Sequence, residues 1–216
     1  MKVVQDSILV KLPPKEEQTS SGIVLVGKEE DTVKPMWVEV VSVGPEVKHV
    51  RPNTWALAAI DRKSSDTFKE GDEKYAKITE ISVFAVTASY EDIESFNVDV
   101  LDKDVLVYDM SFGEQKTTSG IIVSSDNGKT RGIHPRWAKV YRVGANQKDV
   151  SVDQWVLIEH GRWTRGFELN DGTVIRKIDT KAMIAVSDKK PDDLLIGEEY
   201  GSQSSNIKPE DFIKQA

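Results

Sequence analysis

Ser21-Gly22-Ile23-Val24-Leu25 returns 98 residues later as Ser119-Gly120-Ile121-Ile122-Val123. The match extends outward from this pair. Upstream, Asp6-Ser7-Ile8-Leu9-Val10 aligns with Asp104-Val105-Leu106-Val107-Tyr108 at the same spacing. Downstream the spacing becomes 100. Pro35-Met36-Trp37-Val38-Glu39-Val40 aligns with Pro135-Arg136-Trp137-Ala138-Lys139-Val140, and Val43-Gly44 with Val143-Gly144. Trp55-Ala56-Leu57 aligns with Trp155-Val156-Leu157, Ile78 with Ile178, and Phe84-Ala85-Val86 with Ile184-Ala185-Val186. Blocks that keep order and spacing in this way mark an internal duplication. The units run over 1–87 and 103–187. Residues 88–102 form a short acidic linker containing Tyr90-Glu91-Asp92-Ile93-Glu94, a stretch suited to a linker or a short helix. A polar C-terminal tail covers 188–216, and its Gly201-Ser202-Gln203-Ser204-Ser205-Asn206 segment has a flexible composition.

Each unit is a string of short strands. Ser7-Ile8-Leu9-Val10-Lys11 is a β-branched run ended by Pro13-Pro14, which cannot donate to a ladder. Lys15 to Ser21 is polar and has the character of a loop. Trp37 to Val43 alternates until Gly44-Pro45 stops it. Runs at Trp55–Ile60, Tyr75–Ile78 and Ile81–Val86 complete the unit, and in the second unit Asp171-Gly172 predicts a hairpin turn. The expected fold class is all-β, with two tandem small β-barrels. A unit of this size buries only a modest core, so oligomerisation is an expected further source of stability.

Composition narrows the function. Net charge is −7, from 36 Asp and Glu against 29 Lys and Arg, which opposes a nucleic-acid partner because phosphate binding needs a basic face. There are no cysteines, hence no disulfide framework, thiolate metal site or Cys nucleophile. Apolar runs reach about five or six residues, as at Gly22-Ile23-Val24-Leu25-Val26, against roughly 20 for a membrane helix. Met1 to Asp6 lacks a signal-peptide core. A cytoplasmic protein with no membrane partner is expected. His49, His134 and His160 form no ligand-spaced pair, and no phosphate-cradling glycine motif occurs. No catalytic residue, metal site or cofactor is expected, and the chain is not expected to be an enzyme. Arg162-Trp163-Thr164-Arg165 could stack on nucleic acid, but contact with a neighbouring subunit is the better reading. Trp37, Trp55, Trp137 and Trp155 recur in register and are expected to anchor the cores.

The ordered pattern resembles the GroES-type co-chaperonins, the small β-barrel lids of chaperonin rings. It comprises an opening strand (Asp6, Ile8, Val10, Lys11), a polar loop bearing Gly22 to Leu25, a strand ending at Val43-Gly44 and a closing strand at Val83 to Val86. The second unit matches at Asp104, Val105, Val107, Gly120 to Val123, Val143-Gly144 and Met183 to Val186. The resemblance implies two GroES-like β-barrels. It also implies that Ile23-Val24-Leu25 and Ile121-Ile122-Val123, each entered through Gly22 or Gly120, dock on the apical domains of a GroEL-type chaperonin. A homo-oligomer ring is the implied assembly, although fusion of two units departs from the family's seven-fold ring. The ten residues between Gly44 and Trp55, and between Gly144 and Trp155, leave no room for the roof hairpin of the bacterial lid. In this the chain resembles phage-encoded co-chaperonins, which implies a phage source and a client such as a capsid protein. The tandem layout resembles the chloroplast co-chaperonin.

The loop chemistry agrees with this implication. Each buried aliphatic side chain contributes about 1.5–3 kcal/mol, and ordering the loop opposes it by about 1–2 kcal/mol per residue. One loop therefore binds weakly, while several on one ring bind together by effective concentration. The charged flanks Lys15-Glu16-Glu17 and Lys28-Glu29-Glu30-Asp31 solvate the free loop. Read without the resemblance, the tripeptides also suit fully buried core strands. The rival function is a virion or other structural protein that reuses the barrel, with the loops as packing elements between subunits.

Overall fold

A computed structural model describes residues 3–14, 33–62, 66–110, 115–116, 122–124 and 135–191. Within these residues, the first unit contributes β1 (Ile8–Lys11), β2 (Lys34–Val43), β3 (Trp55–Ile60), β4 (Thr67–Glu70), β5 (Glu73–Ile78) and β6 (Val83–Thr87). A short helix α1 (Glu91–Ser95) and strand β7 (Asp99–Val100) come next. The second unit contributes β8 (Val105–Tyr108), β9 (Gln115–Lys116), β10 (Ile122–Ser124), β11 (Arg136–Val143), β12 (Trp155–Ile158), β13 (Phe167–Glu168), β14 (Val174–Ile178) and β15 (Met183–Ser187). Every pairing between these strands is antiparallel. The two large sheets have matching strand orders, β4-β5-β1-β2-β3-β6-β7 and β13-β14-β8-β11-β12-β15. The chain is all-β in class, and its two tandem units share one design.

Each sheet wraps its own apolar core. Ile8, Val10, Val38, Val40, Ala56, Ala58, Ile78 and Val83 fill the first. Val105, Val107, Ala138, Val140, Val156, Ile158 and Ile178 fill the second. These are the inward halves of alternating strands. The hydrogen-bond register adjusts the repeat. Ile8 pairs with Val43 and Ile78, and Val105 pairs with Val143 and Ile178, so the opening strands superpose at a spacing of 97, not 98. Ser7, not Asp6, is thus the counterpart of Asp104. Backbone geometry sets this register. Gln5 and Asp102 both adopt a left-handed conformation, with φ of 57° and 43°. Gly44 and Gly144 then pass so close to those turns that a Cβ would lie 2.1 Å from the Gln5 oxygen or 2.3 Å from the Asp102 oxygen.

Both units also carry the same two irregularities. Between β1 and β2 the register skips Val41, and between β8 and β11 it skips Tyr141. Between β3 and β6 it skips Phe84, and between β12 and β15 it skips Ile184. A bulge re-aims the residue it leaves unpaired. Tyr141 and Phe84 join a third apolar cluster, lying between the two barrels, with Leu57, Ala85, Phe96, Val98, Val100, Leu106 and Ile175.

This joint is built from the stretch that reads as a linker. Phe96 is buried in a left-handed conformation (φ 51°) at the end of α1. It packs edge-on to Trp37 at 6.2 Å and against Tyr141 at 5.8 Å, and Tyr141 continues to Tyr108 at 5.6 Å. β7 adds to the free edge of β6, pairing Val100 with Ala85 and Asp99 with Val86. The next residue, Leu101, packs within the first barrel's core. Lys177, on β14 of the second barrel, is the polar pin. Its Nζ donates to the carbonyls of Val83 (2.7 Å) and Ile81 (3.1 Å) in the first barrel and pairs with Asp104 at 2.6 Å. Burial pushes the Asp104 carboxyl above its ordinary range despite the lysine beside it. Arg142 donates to the Phe96 carbonyl and Asn170 to that of Glu94, closing the rim.

Candidate functional site

The candidate loops leave the barrels from equivalent places. The first departs after β1, where Leu12 is buried and its N–H donates to the Lys74 carbonyl at 2.8 Å. Pro13-Pro14 then ends the strand. The departing strand is held by Lys11, which pairs with Glu73, and Glu73 also accepts the Tyr75 hydroxyl at 2.8 Å. Their mutual hydrogen bond raises the Lys11 pKa and lowers that of Glu73. The chain returns at exposed Val33 and enters β2 with Lys34 opposite Ile60. Beside this foot lies a cavity of about 440 Å³ lined by Val33, Ile60, Asp61, Thr67, Lys77 and Thr79, among others.

The second loop departs after Tyr108, with Asp109 left-handed (φ 50°) and Met110 packed on the second core. Lys139 reinforces this departure. It pairs with Asp153 at 2.8 Å and lies 5.6 Å from the Tyr108 ring centroid, and its pKa is pushed up to about 12, chiefly by the Asp153 bond. Within the loop β9 and β10 pair with each other, Ile122 opposite Lys116 and Ser124 opposite Gln115, and among the described residues with no other strand.

Of the residues predicted to contact a chaperonin, Ile122 and Val123 lie on β10. Gly22, Ile23, Val24, Leu25, Gly120 and Ile121 lie outside the described residues. The connections that replace a roof hairpin are compact. In the first barrel, Glu80 accepts the backbone N–H groups of Lys48, His49 and Val50 through one carboxylate oxygen. In the second, the Gln147 side-chain oxygen accepts those of Lys148 and Asp149. Asn53 and Asp153 take the same left-handed position in the two connections.

The fold places Arg162-Trp163-Thr164-Arg165 and changes the expected role of the tryptophans. Arg162-Trp163-Thr164-Arg165 is folded into the second barrel: Trp163 bridges Ile178 and packs on the core, and Arg162 pairs with Glu159 and Asp179. The tryptophans mostly serve surfaces other than the cores. Trp37 belongs to the joint, Trp55 packs on Tyr90 of the connection at 5.0 Å, and Trp155, though buried, lies under Lys190 at 4.9 Å. Among the described residues no group of His, Cys, Asp and Glu could hold a metal ion, and no helix is long and apolar enough to cross a membrane.

Residues 1–87 match the family described as Chaperonin 10 Kd subunit. The first barrel is thus similar to the GroES-type co-chaperonins, a family whose function is that of a co-chaperonin and whose partner is a chaperonin. No curated protein matches the chain. The sequence pattern points to the loops but not to the joint. The joint's residues, Phe96, Tyr141, Phe84 and Lys177, sit in ordinary-looking runs, and only the bulges re-aim two of them.

Proposed function

We propose that this chain caps a GroEL-type chaperonin ring, docking Gly22-Ile23-Val24-Leu25 and Gly120-Ile121-Ile122-Val123 on the apical domains. The observation that carries the reading is the placement of Ile122 and Val123 on a two-stranded hairpin that, among the described residues, joins neither barrel sheet. A core strand would be paired within a barrel. The chain assembles as a homo-oligomer ring, so that weak single-loop contacts add by effective concentration. It acts without a cofactor or active site of its own. The compact connections after Gly44 and Gly144 support the likeness to phage-encoded lids, and with it a place in a host cytoplasm and a capsid protein as client. The barrel boundaries are 1–87 and 103–187.

The test is co-sedimentation with a bacterial chaperonin, with and without ADP or ATP. Nucleotide-dependent binding is expected, reduced by Ile23→Asp or Ile121→Asp and abolished by the pair. Absence of binding with every nucleotide, accompanied by misassembly of the variants, would favour the structural-protein reading.

A further inference from the structure

The chain leaves its two barrels in the same way. After β6 the Thr87 hydroxyl donates to the Ser89 carbonyl and accepts the Ser89 N–H, both at 3.4 Å. After β15 the Ser187 hydroxyl donates to the Lys189 carbonyl at 2.8 Å and accepts the Lys189 N–H at 3.3 Å. The next residue of each path lies on a tryptophan. Tyr90 packs on the Trp55 ring at 5.0 Å, and Lys190 lies over the Trp155 ring at 4.9 Å. Lys190 also pairs with Asp109 at 3.6 Å. The tail thus sets out from the second barrel along the line that the connection follows on the first.

What that line meets differs between the barrels. On the first it leads to Phe96, which packs on Trp37 and shares a cluster with buried Leu57, Phe84 and Ala85. On the second the counterparts are open. Ile184 is 53% exposed, Ala185 is exposed, and Leu157 and Trp137 are half-buried. An apolar face of this kind, at the point where the tail departs, calls for a cover.

The tail has the sequence to supply one. Residues 192–216 lie outside the described ones. Phe96 follows the end of β6 at Thr87 by the same interval as Ile196 follows the end of β15 at Ser187. Ile196 closes the apolar run Leu194-Leu195-Ile196. Pro191 stands at the place of Glu91, the first residue of α1, a position that favours proline. Asp192 repeats Asp92.

From this we infer that Leu194-Leu195-Ile196 of the tail docks on the open face of its own second barrel, against Trp137, Leu157 and Ile184, as Phe96 docks on the first. The tether makes the contact intramolecular, so it does not weaken on dilution. It is a reversible cover, because Phe96 is clamped between Trp37 and Tyr141 of two barrels whereas Ile196 has one barrel to pack on. Any partner that takes this face must first displace the tail. The inference does not rest on the chaperonin reading, since it concerns the free chain.

The chain has no cysteine, so Ile184→Cys introduces a single thiol. In dilute full-length protein, maleimide labelling of that thiol is expected to be at least about fivefold slower than in the same variant carrying Leu195→Asp and Ile196→Asp. Ile196→Phe is expected to keep the slow rate. Asp72→Cys, in the turn between β4 and β5, is a control that labels equally with and without the tail substitutions. Ile184→Cys combined with Ile196→Cys is expected to close a disulfide within one chain on mild oxidation. Ile23→Asp and Ile121→Asp change none of these results, so failure here and failure of the chaperonin reading are distinguishable. Equal labelling with and without the tail substitutions would overturn the inference. So would protection that appears only as protein concentration rises, or a disulfide that links separate chains, because either makes a second copy the occupant.

Discussion

Lys177 and Lys77 occupy the same position on equivalent strands, opposite Leu106 and Leu9 respectively, and have opposite surroundings. Lys177 is 8% exposed between two barrels, with three oxygen partners, while Lys77 stands in solvent at the chain's open front. The difference does not come from the strands that carry them, whose pairing is the same. It comes from the segment after the first barrel, where α1, Phe96 and β7 bring a second barrel against one surface only. A duplicated fold thus shows the same side chain buried at a joint in one barrel and exposed to solvent in the other.

The sharpest way to break this comparison is to remove both amines. Lys177→Ala leaves half-buried Asp104 and the Val83 and Ile81 carbonyls without this donor, and is expected to lower stability by about 1–3 kcal/mol. Lys77→Ala, measured in dilute protein, is expected to change it by less than about 0.5 kcal/mol. Urea unfolding of the two variants side by side checks this, and equal losses would mean that the joint is not pinned through Lys177.

A smaller contrast lies in the two close-packed glycines. Gly144→Ala forces a methyl against the Asp102 turn, which Leu101 and β7 hold in the joint. Gly44→Ala meets the Gln5 turn, next to exposed Val4 near the chain start. We expect about 2 kcal/mol for the first, within the range of overpacked sites, and a clearly smaller loss for the second. Thermal unfolding distinguishes them; the reverse order would show that the front segment is the more tightly held.

The smallest effect concerns a feature that only the second unit has. Asp171 accepts the Thr173 N–H at 2.8 Å in the hairpin turn beside Gly172, and this bond holds its carboxyl below the ordinary value of 3.8. A depressed folded-state pKa means stabilisation that is present above 3.8 and lost as pH falls through the folded value. Asp171→Ala should therefore lower the melting temperature slightly at neutral pH and leave it unchanged in strong acid. A pH-independent loss would assign the effect to the turn's shape instead of its charge.

Much of this fold is legible from residues alone. Trp, Gly and Val-Gly recur at fixed spacing, and the Asp171-Gly172 turn falls where expected, with Gly172 left-handed (φ 83°). The opening register is misplaced by one in the sequence because Asp6 and Asp104 match as letters. The feature common to both barrels there is a backbone conformation, carried by Gln5 in one and Asp102 in the other. Of the joint, the short helix α1 is legible as one reading of Tyr90 to Glu94, but its packing is not. Tyr141 and Phe84 read as alternating strand residues, and the bulges that turn them outward leave no signature in composition. Residues 88–102 read as an acidic linker because Glu91, Asp92 and Glu94 precede the buried Phe96, Val98 and Val100.

Two barrels on one chain also impose a rule of counting. Any ring built from copies of this chain would hold an even number of barrels, because barrels enter it in pairs. If both loops dock as proposed, such a ring would carry two kinds of tip in equal number, Ile23-Val24-Leu25 and Ile121-Ile122-Val123. A lid of identical barrels would offer its partner one repeated word; a ring of this chain would offer two.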